Sequence, residues 1–440
     1  MGSNYTGGIH PYYGKELSMD KPIKELLPKG ELIFPLVQHI GNPALPIVSK
    51  GDYVLRGQKI GEANGAISAN VISSVSGLVK AIEPRQTSSG EIIGSIIVEN
   101  DNKYKEVSGL GEKRDPSQFS KEEIRNIIKE AGIVGLGGAA FPTHVKLMPE
   151  DDGKIDYMIV NASECEPYLS NDYQTMIEMP EKVVGGLKII LSLFPKAKGI
   201  IAIENNKPKA IKVLRELTDK ESNIKVKAIK TKFPQGGERQ IVYTVTGRKI
   251  NSSLLPAEVG CLVNNVSTVI AIYEAVAEST PLMTRITTVT GQAISEPQNI
   301  RVINGTSMRE VIEAAGGFKK EPEKIICCGP MMGCALYSLD VPISKYTSGL
   351  VCFTEDENIM WEPITCIRCG RCVEVCPVRI VPQRMYEFSS HFDEKSFEKI
   401  DGMECIECGC CSYVCPSKLR LTQSFREAKK SIQAKRNKKK

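Results

Sequence analysis

The spacing of apolar and polar residues changes several times along the 440-residue chain. Residues 1–30 carry no regular period, and we expect an extended arm there. Residues 31–100 alternate apolar and polar positions in short runs broken by glycines, which predicts short β-strands. Within this region Asn64-Gly65 predicts a tight hairpin turn, because glycine adopts positive φ without steric cost.

A helical period begins at residue 120 and then alternates with apolar runs that have the length of buried strands. Ser120 and Glu123 predict a capping box, and Gly132 predicts the end of this first helix. The segments IDYMIVNAS, GIIAIE and NIKVKAIK predict strands, and residues 181–194 and 208–218 predict helices between them. This alternation predicts a layered α/β domain over residues 118–285.

The pattern changes again after residue 285. Residues 286–320 predict two short strands and then an amphipathic helix that ends at Gly316-Gly317. No apolar run reaches the roughly 18 residues that a membrane-spanning helix needs, so we expect none. The opening MGSNYTGGIHPYYGK also lacks the apolar stretch of a signal peptide.

Positive charge is concentrated near the carboxyl terminus. Residues 426–440 contain eight Lys/Arg and one Glu, a net +7, whereas the whole chain is +5, so the other residues sum to −2. Such a basic segment is typical of a solvated, disordered end, or of contact with anionic lipid or an acidic partner. Nucleic acid is disfavoured, because no aromatic or base-reading pattern accompanies the lysines.

Fifteen cysteines are present, and eight of them form a repeat. CIRCGRCVEVCPVRI at 366–380 and CIECGCCSYVCPSKL at 405–419 both follow C-x2-C-x2-C-x3-C-P. In the bacterial two-cluster pattern, three cysteines of each run bind one iron–sulfur cubane and the fourth binds the other. The spacing therefore predicts one [4Fe-4S] cluster on Cys366, Cys369, Cys372 and Cys415, and a second on Cys405, Cys408, Cys411 and Cys376.

Zinc is the competing interpretation of these cysteines. Zinc sites use two C-x2-C pairs and do not need a third cysteine or the trailing Cys-Pro, which both runs contain. Cys410 is displaced from the ligand spacing, and we interpret it as a non-ligand. The six cysteines outside the repeat region are interpreted mainly as small buried apolar residues.

Two cubanes pass single electrons, so an enzyme that also meets a hydride donor needs a converter such as a flavin. The segment GIVGLGGAAFPTHVKL at 132–147 is the candidate, because Gly135, Gly137 and Gly138 would let backbone N–H groups approach a phosphate or a flavin edge. It is not a G-x-G-x-x-G dinucleotide fingerprint, and an ordinary glycine turn is the alternative.

A family resemblance strengthens the flavin interpretation. GLGGAAFPTHVKL, NASECEPYLSND, FPQGGERQ and CLVNNVSTV occur in the order seen in the flavin-carrying subunit of respiratory complex I. Over nearly the whole length, from GGIHP near the start to the cysteine repeat, the chain more closely resembles the C subunits of Rnf complexes, the ferredoxin–NAD+ oxidoreductases of bacterial membranes.

The resemblance implies specific roles for site residues. FMN contacts are implied for Gly135, Gly137, Gly138, Lys146, Asn161, Glu164, Asn264 and Asn265. Phe141 would stack on the nicotinamide nucleotide, and Glu238 would hold a ribose hydroxyl. Ser163 and Cys165 depart from complex I, which has Asp and Gly there. No acid–base catalyst is expected, and we assign no role to His144.

The resemblance also implies a multidomain α/β and α+β fold. Its parts are an N-terminal arm (1–30), a lipoyl-like β barrel-sandwich hybrid domain (31–117), an FMN/NAD-binding α/β domain (118–285), an SLBB-like β-grasp module and linker (286–355), an α-helical two-[4Fe-4S] ferredoxin-type domain (356–424) and the basic tail (425–440). Gly65 falls near the position where the carrier domains hold their modified lysine, so we expect no swinging cofactor.

The implied function is electron transfer between ferredoxin and NAD+/NADH through two [4Fe-4S] clusters and FMN. The chain would be a peripheral subunit on the cytoplasmic face of the inner membrane. Its partners would be an iron–sulfur subunit that accepts electrons from ferredoxin and integral membrane subunits that translocate Na+ or H+. The alternatives are a soluble FMN/iron–sulfur NADH reductase, such as cobalamin reductase or the proline-reductase electron-transfer protein, and a relay or scaffold without nucleotide binding.

Overall fold

The computed structural model describes residues 4–356 and 361–437. Residues 357–360, beside the boundary expected at 355/356, and residues 438–440 of the basic tail lie outside the described residues. Within the described ranges, no helix combines the length and the apolar character needed to cross a bilayer.

The first module is built from short antiparallel strands. They are Glu31–Pro35 (β2), Leu45–Pro46 (β3), Tyr53–Val54 (β4), Lys59–Glu62 (β5), Val71–Ile72 (β6), Gly77–Gln86 (β7) and Ile92–Asn100 (β8); Lys24–Leu26 (β1) precedes them and belongs to the third module. Strands β2-β8-β7-β4 form one sheet and β3-β5-β6 a second. Leu32, Phe34, Ile60 and Val98 fill the space between them, and their burial stabilises the two-sheet arrangement.

The predicted tight hairpin at Asn64-Gly65 is wrong in its length. Strands β5 and β6 do pair, but residues 63–70 connect them. Gly65 takes the expected positive φ of 87°. The longer loop is closed at its base by Asn70, whose Oδ1 accepts a hydrogen bond from the Ala63 N–H at 2.8 Å.

The second module is a parallel sheet covered by helices. Its elements are Lys121–Glu130 (α1), Thr143–Lys146 (α2), Tyr157–Ala162 (β9), Asn171–Glu178 (α3), Pro180–Leu193 (α4), Lys198–Glu204 (β10), Pro208–Thr218 (α5), Ile224–Ile229 (β11), Glu238–Thr246 (α6), Cys261–Asn265 (β12) and Val266–Ala277 (α7). The predicted capping box on α1 is confirmed, because Ser120 and Glu123 satisfy each other's backbone N–H groups.

The strand order of this sheet is β11-β10-β9-β12. The chain therefore starts in the middle, moves outward to β11, and returns to the other side of β9. In parallel α/β sheets such a reversal opens a crevice at the carboxyl ends of the two strands involved, which is where ligands bind. The crevice here lies beyond Ala162 and Asn265, the last residues of β9 and β12.

A mixed six-stranded sheet forms the third module. It contains Thr284–Thr290 (β13), Gln298–Ile303 (β14), Lys324–Cys327 (β15), Cys334–Leu336 (β16) and Gly349–Phe353 (β17), with Met308–Ala314 (α8) packed on it. Strand β1 of the N-terminal arm joins its edge, with Lys24 opposite Ile300. The expected arm is therefore partly a strand of this sheet.

The cysteine repeat lies in a small helical module. Its helices are Arg371–Glu374 (α9), Pro382–Ser390 (α10), Glu394–Lys399 (α11), Cys410–Tyr413 (α12) and Leu421–Asn437 (α13). Met385, Phe397 and Phe425 form the centre of its core.

The basic tail is helical through residue 437, so of the alternatives left open for it, the disordered end is wrong for that part. Helix α13 buries Phe425 and Ile432 in the core of the cysteine module. Its cations also pair with neighbouring acids, as in Lys435 with Glu394 at 2.5 Å. Two apolar residues on one face of the helix therefore hold this segment against the cysteine module, although its charged composition alone would predict a solvent-exposed end.

Candidate functional site

Two cavities in the helical module are each lined by cysteines from both runs of the repeat. The first cavity is lined by Cys366, Cys369, Cys372 and Cys415. The second is lined by Cys376, Cys405, Cys408, Cys410 and Cys411. Three thiols of each run thus meet the fourth thiol of the other run, which brings the eight candidate ligands together in two crossed sets.

The two runs share one backbone conformation. Arg368 and Glu407 occupy the left-handed region at φ 56°, and Gly370 and Gly409 follow at φ 80° and 81°. A one-turn helix begins after each glycine. This turn directs the first three cysteines of a run toward one point, as a cubane requires.

The space and the donor set fit an iron–sulfur cluster. Among residues 4–356 and 361–437, no three His, Cys, Asp or Glu side chains converge closely enough to hold a single metal ion. Each set of four cysteines surrounds a cavity instead. Burial raises the pKa of both Cys405 and Cys411 to about 12, so the thiolates that ligate iron need a cationic centre beside them.

Cys410 forms part of the second cavity wall although it lies outside the ligand spacing. Its side chain is fully buried, and Sγ lies 3.8 Å from the carbonyl oxygen of Phe233. Phe233, Ile9, Cys408 and Cys410 form one apolar cluster, against which Cys165 also packs. The second cavity therefore abuts the turn at 233–237, which belongs to the α/β module.

The glycine loop lies at the sheet crevice. A Cβ on Gly137 would stand 3.0 Å from Cβ of Asn265 at the end of β12, so a side chain at position 137 would require Asn265 to shift by a few tenths of an ångström. Gly138, at φ 119°, has open space where a side chain would project. Two hydrogen bonds of Leu136 fix the loop to the rest of the protein. The Leu136 N–H donates to the Thr268 hydroxyl, and the Leu136 carbonyl accepts from the buried Arg285 guanidinium.

Lys146 lies at the same crevice. Its ammonium donates to the carbonyl of Val263 in β12 at 2.9 Å and lies 3.4 Å from Oε1 of Glu238. Phe141 is half-buried, and its carbonyl accepts from the Gly135 N–H at 2.8 Å, which closes the glycine loop. A cation, a ring and a carboxylate thus border the open side of the loop.

Asn161 connects β9 to the turn at 233–237. Its Nδ2 donates to the carbonyl of Gly236 at 2.8 Å. Two buried polar groups beside it have no hydrogen-bond partner in the protein, the amide of Gln235 and the hydroxyl of Ser163. Buried polar groups are normally satisfied, so this crevice has polar capacity that fits a bound ligand such as FMN.

The side chain of Glu164 points away from the open loop. Glu164 has a φ of 51°, and Oε1 accepts from the backbone N–H of Asp172 at 2.6 Å. Oε2 lies 3.4 Å from the ammonium of Lys15, and both side chains are almost fully buried. Burial raises the pKa of Glu164, and the adjacent Lys15 opposes that rise.

Asn264 and Asn265 are the last two residues of strand β12, and their side chains make different contacts. Asn265 caps α7 by accepting from the Ser267 N–H at 2.9 Å, and its Nδ2 donates to Asp172 at 2.6 Å. Asn264 is buried, with Nδ2 3.6 Å from the sulfur of Met158. His144 is also buried, which lowers the pKa of its ring.

The sequence interpretation missed four charged residues that build this site. Lys207 is fully buried and donates to the carbonyl of Ser163 at 2.6 Å and to Glu204 at 3.2 Å. Lys15 and Asp172 hold Glu164 and Asn265, as described above. Glu166, whose pKa burial raises to about 8, accepts from the N–H groups of Met331 and Met332. The acids are recognisable in NASECEPYLSND, but no local signal marks the lysines.

Comparison with protein families matches all four modules. The matching models are described as RnfC barrel sandwich hybrid domain (residues 3–103), Nuo51 FMN-binding domain (128–274), SLBB domain (286–335) and 4Fe-4S dicluster domain (365–419). The expected fold class is therefore confirmed, as are FMN and [4Fe-4S] as the cofactors.

Similar solved structures agree at the level of the fold. The NAD+-reducing [NiFe]-hydrogenase in its air-oxidized state superposes with a TM-score of 0.51 at 17% identity, over 72% of this chain and 62% of that one. Its H2-reduced state gives a TM-score of 0.50 at 16% identity, over 73% and 62%.

Similar sequences extend over most of the chain. The C subunit of the Na(+)-translocating ferredoxin:NAD(+) oxidoreductase complex of Acetobacterium woodii is 42% identical over 99% of this chain and 98% of its own. The proton-translocating counterpart of Clostridium ljungdahlii is 43% identical over 88% and 84%. The C subunit of the ion-translocating oxidoreductase complex of Rhodobacter capsulatus is 38% identical over 98% and 84%. With its FMN-binding and dicluster domains, the chain belongs to the C-subunit family of Rnf-type, ion-translocating ferredoxin:NAD+ oxidoreductase complexes.

Proposed function

We propose that this chain exchanges electrons between NAD+/NADH at its α/β module and a partner subunit at its cysteine module. One observation carries the proposal: continuous contact from the second cavity to the flavin crevice. Cys410 in the cavity wall contacts Phe233, and three residues later Gly236 accepts from Asn161 at the end of β9. When bound, FMN supplies the conversion between a two-electron hydride and single electrons.

The flavin would be held by groups that converge on the crevice. The exposed backbone at Gly137 and Gly138 offers N–H groups to an anion, and Lys146 adds the positive charge. The unsatisfied amide of Gln235 and hydroxyl of Ser163 supply further polar partners. Glu164 and Asn265 act through the helices that they cap, α3 and α7, so we assign them positioning roles.

NADH would enter at the open side of the glycine loop. Phe141 is half-buried there, and Glu238 is exposed over 44% of its side chain. An exposed aromatic ring can stack on a nicotinamide or adenine ring, and an acid can accept from ribose hydroxyls. Both residues line the entrance, whereas Asn161 and Gln235 lie deeper.

The second cluster site would be the one nearer the flavin. Its cavity abuts Phe233, whereas the first cavity faces the surface, with Cys369 exposed and Ile364 and Ile367 about 60% exposed. Exposed apolar residues around a redox site are suited to docking of another protein. We therefore expect the partner iron–sulfur subunit, which accepts electrons from ferredoxin, to dock beside the first cavity.

The chain would act as a peripheral subunit at the cytoplasmic face of the cell membrane, beside integral membrane subunits. Support comes from the relatives, which are named as subunits of translocating complexes. The cations of α13 would suit an anionic membrane surface. Two relatives are named for different ions, Na+ and protons, and this chain's proposed role is the same with either.

The module boundaries at 30/31, 117/118, 285/286, 355/356 and 424/425 are part of the same proposal.

An anaerobic titration of the purified chain with NADH tests the proposal. Flavin and iron are counted in the same sample, and about eight irons per chain are expected for two cubanes. The flavin band should bleach first and the broader iron–sulfur absorption should follow. A sample that contains both cofactors but does not respond to NADH would refute the role. Purification with membrane subunits would distinguish the complex from a free-standing reductase.

A further inference from the structure

The N-terminal arm contains a segment that contacts both the surroundings of the second cavity and the loop that follows β9. We call residues 5–18 the strap. Its first contact lies beside the second cavity: the Gly8 N–H donates to the carbonyl of Val375 at 2.8 Å. Gly7 packs so closely that an added Cβ would stand 2.7 Å from the carbonyl oxygen of Cys376, which lines that cavity. The strap therefore bears directly on a candidate cluster ligand.

The middle of the strap is bound to the turn that separates the two cofactor sites. Ile9 and Phe233 exchange two backbone hydrogen bonds of 2.9 Å, as in an antiparallel sheet. Lys232 donates to the carbonyls of Tyr5 at 2.5 Å and Gly7 at 3.0 Å, and its ammonium lies 3.5 Å from the Tyr5 ring centroid. These contacts hold the strap against Lys232 and Phe233, at the start of the 233–237 turn.

The far end of the strap contacts the loop after β9, which borders the flavin crevice. Lys15 is 2% exposed and donates to the carbonyls of Glu164, at 2.6 Å, and Leu169. Its ammonium also pairs with the buried Glu164 carboxylate. The Tyr168 N–H donates to the Tyr13 carbonyl at 2.9 Å. A buried lysine with three acceptors fixes the loop after β9 more firmly than apolar packing alone.

We infer that the strap is a positioning element that sets the separation between the flavin site and the second cluster site, with Gly8 and Lys15 as its anchors. It contacts backbone and loop residues at each site and adds no redox step, so it acts on the rate of an existing transfer. This inference rests on the proposed function, because it presumes that electrons pass between these two sites.

Glycine substitutions offer a matched test. Gly8 and Gly90 have the same φ of 82°, so alanine places the backbone in the left-handed region at both positions. A Cβ at Gly8 would stand 2.8 Å from the carbonyl oxygen of Phe233, whereas a Cβ at Gly90 has nothing within 4 Å. Gly8→Ala must therefore shift the strap or the turn, and Gly90→Ala is its control.

Full-length wild type, Gly8→Ala and Gly90→Ala, each with flavin and iron counted, are mixed anaerobically with NADH and followed by rapid absorbance. We expect flavin bleaching in Gly8→Ala to stay near the wild-type rate. Cluster bleaching should slow by about tenfold, because small displacements of reacting groups lower rates steeply. Gly90→Ala should match wild type in both steps. Equal cluster rates in all three proteins would overturn the inference.

The cofactor content of Gly8→Ala also tests the inference. If Gly8→Ala retains flavin but loses about half of its iron, the strap is needed to shape the second cavity, which supports the inference, since Gly8 is not a ligand. If Gly8→Ala retains neither cofactor, the same rate measurement is made on Lys15→Met, which alters the other anchor of the strap. Lys188→Met is its control, because Lys188 forms an exposed pair with Glu221. A wild-type cluster rate in Lys15→Met would then overturn it. If the wild-type flavin does not respond to NADH, the proposed function itself fails.

Discussion

The ammonium of Lys146 lies 3.4 Å from the carboxylate of Glu238, across the entrance of the flavin crevice. Lys146 follows the glycine loop at the end of α2, and Glu238 begins α6, so the pair joins two separate elements. The family resemblance assigns Lys146 to FMN and Glu238 to NADH. Their contact means that each substitution should be measured against both cofactors.

Replacing Lys146 with Met should weaken flavin binding about tenfold, because a charge-assisted hydrogen bond to an anion is lost. The measurement is the dissociation constant of FMN, from flavin fluorescence during dilution of the anaerobic protein. Lys212→Met is the control, since Lys212 is 77% exposed in a surface pair. Unchanged FMN affinity in Lys146→Met would remove this lysine from the flavin site.

Replacing Glu238 with Gln should raise KM for NADH several-fold and leave the bound flavin unchanged. The amide keeps the shape of the side chain but weakens acceptance from ribose hydroxyls. Steady-state NADH oxidation with an artificial electron acceptor gives KM, and flavin is counted in the same sample. A loss of flavin at unchanged KM would instead assign Glu238 to the flavin site through Lys146.

Cys376→Ser and Cys415→Ser should have opposite effects on electron flow. Each removes one ligand from one cavity, and about four of roughly eight irons should remain in each. NADH should still bleach the remaining cluster in Cys415→Ser, because the second site borders the 233–237 turn. In Cys376→Ser the remaining cluster is the distant one, and its bleaching should be slow or absent. The reverse result would exchange the order of the two sites.

Cys410→Ser is the control for this pair of variants. Cys410 lines the second cavity without occupying a position of the repeat. Iron content and cluster bleaching should both stay at wild-type values. A loss of iron in Cys410→Ser would show that the fifth cysteine of the run is a ligand.

The buried Lys345 should make stability depend on pH. Its ammonium donates to the carbonyls of Asn70 and Gly132, in two different modules, and burial lowers its pKa to about 7. Between about pH 7 and the ordinary lysine pKa, the unfolded chain binds more protons than the folded one, so stability rises with pH. From pH 7 to 9, wild type should gain about 2 kcal/mol relative to Lys345→Met.

Thermal unfolding of the holoprotein at several pH values measures this difference. His39 interacts with Lys345, but burial and Lys345 lower the pKa of His39 to about 4, outside this pH range. A difference between wild type and Lys345→Met that stays constant from pH 7 to 9 would contradict the prediction.

Local signals in the sequence predicted local structure well. Ser120 and Glu123 lie three residues apart, and their capping box needs nothing from the rest of the chain. The loop of residues 63–70 was missed because its closing residue, Asn70, lies seven positions from Ala63, beyond any two-residue turn signal. The sequence pattern therefore predicted the local structure correctly where the stabilising partner lies only a few residues away.

Distant partners explain what the sequence could not predict. Lys15 in the arm is separated from Glu164 by 149 positions, and a lone lysine in an arm predicts solvent exposure. Lys207 is buried for a similar reason, since its acceptor on Ser163 lies 44 positions away. In α13 the charge of the segment hid the apolar pair Phe425 and Ile432. Each buried charge needed a partner that only the folded chain supplies.

The strap also constrains how the protein is made. Gly8 hydrogen-bonds to Val375, and the neighbouring Cys376 shares its cavity with Cys405, Cys408 and Cys411. The contact of Gly8 therefore cannot form until Val375 has been synthesised, although the strap can meet Glu164 and Phe233 earlier. Contacts between such distant positions are slow to form and leave surfaces exposed meanwhile. We therefore expect iron supply during synthesis to affect the yield of the α/β module, through the strap, as well as that of the cysteine module.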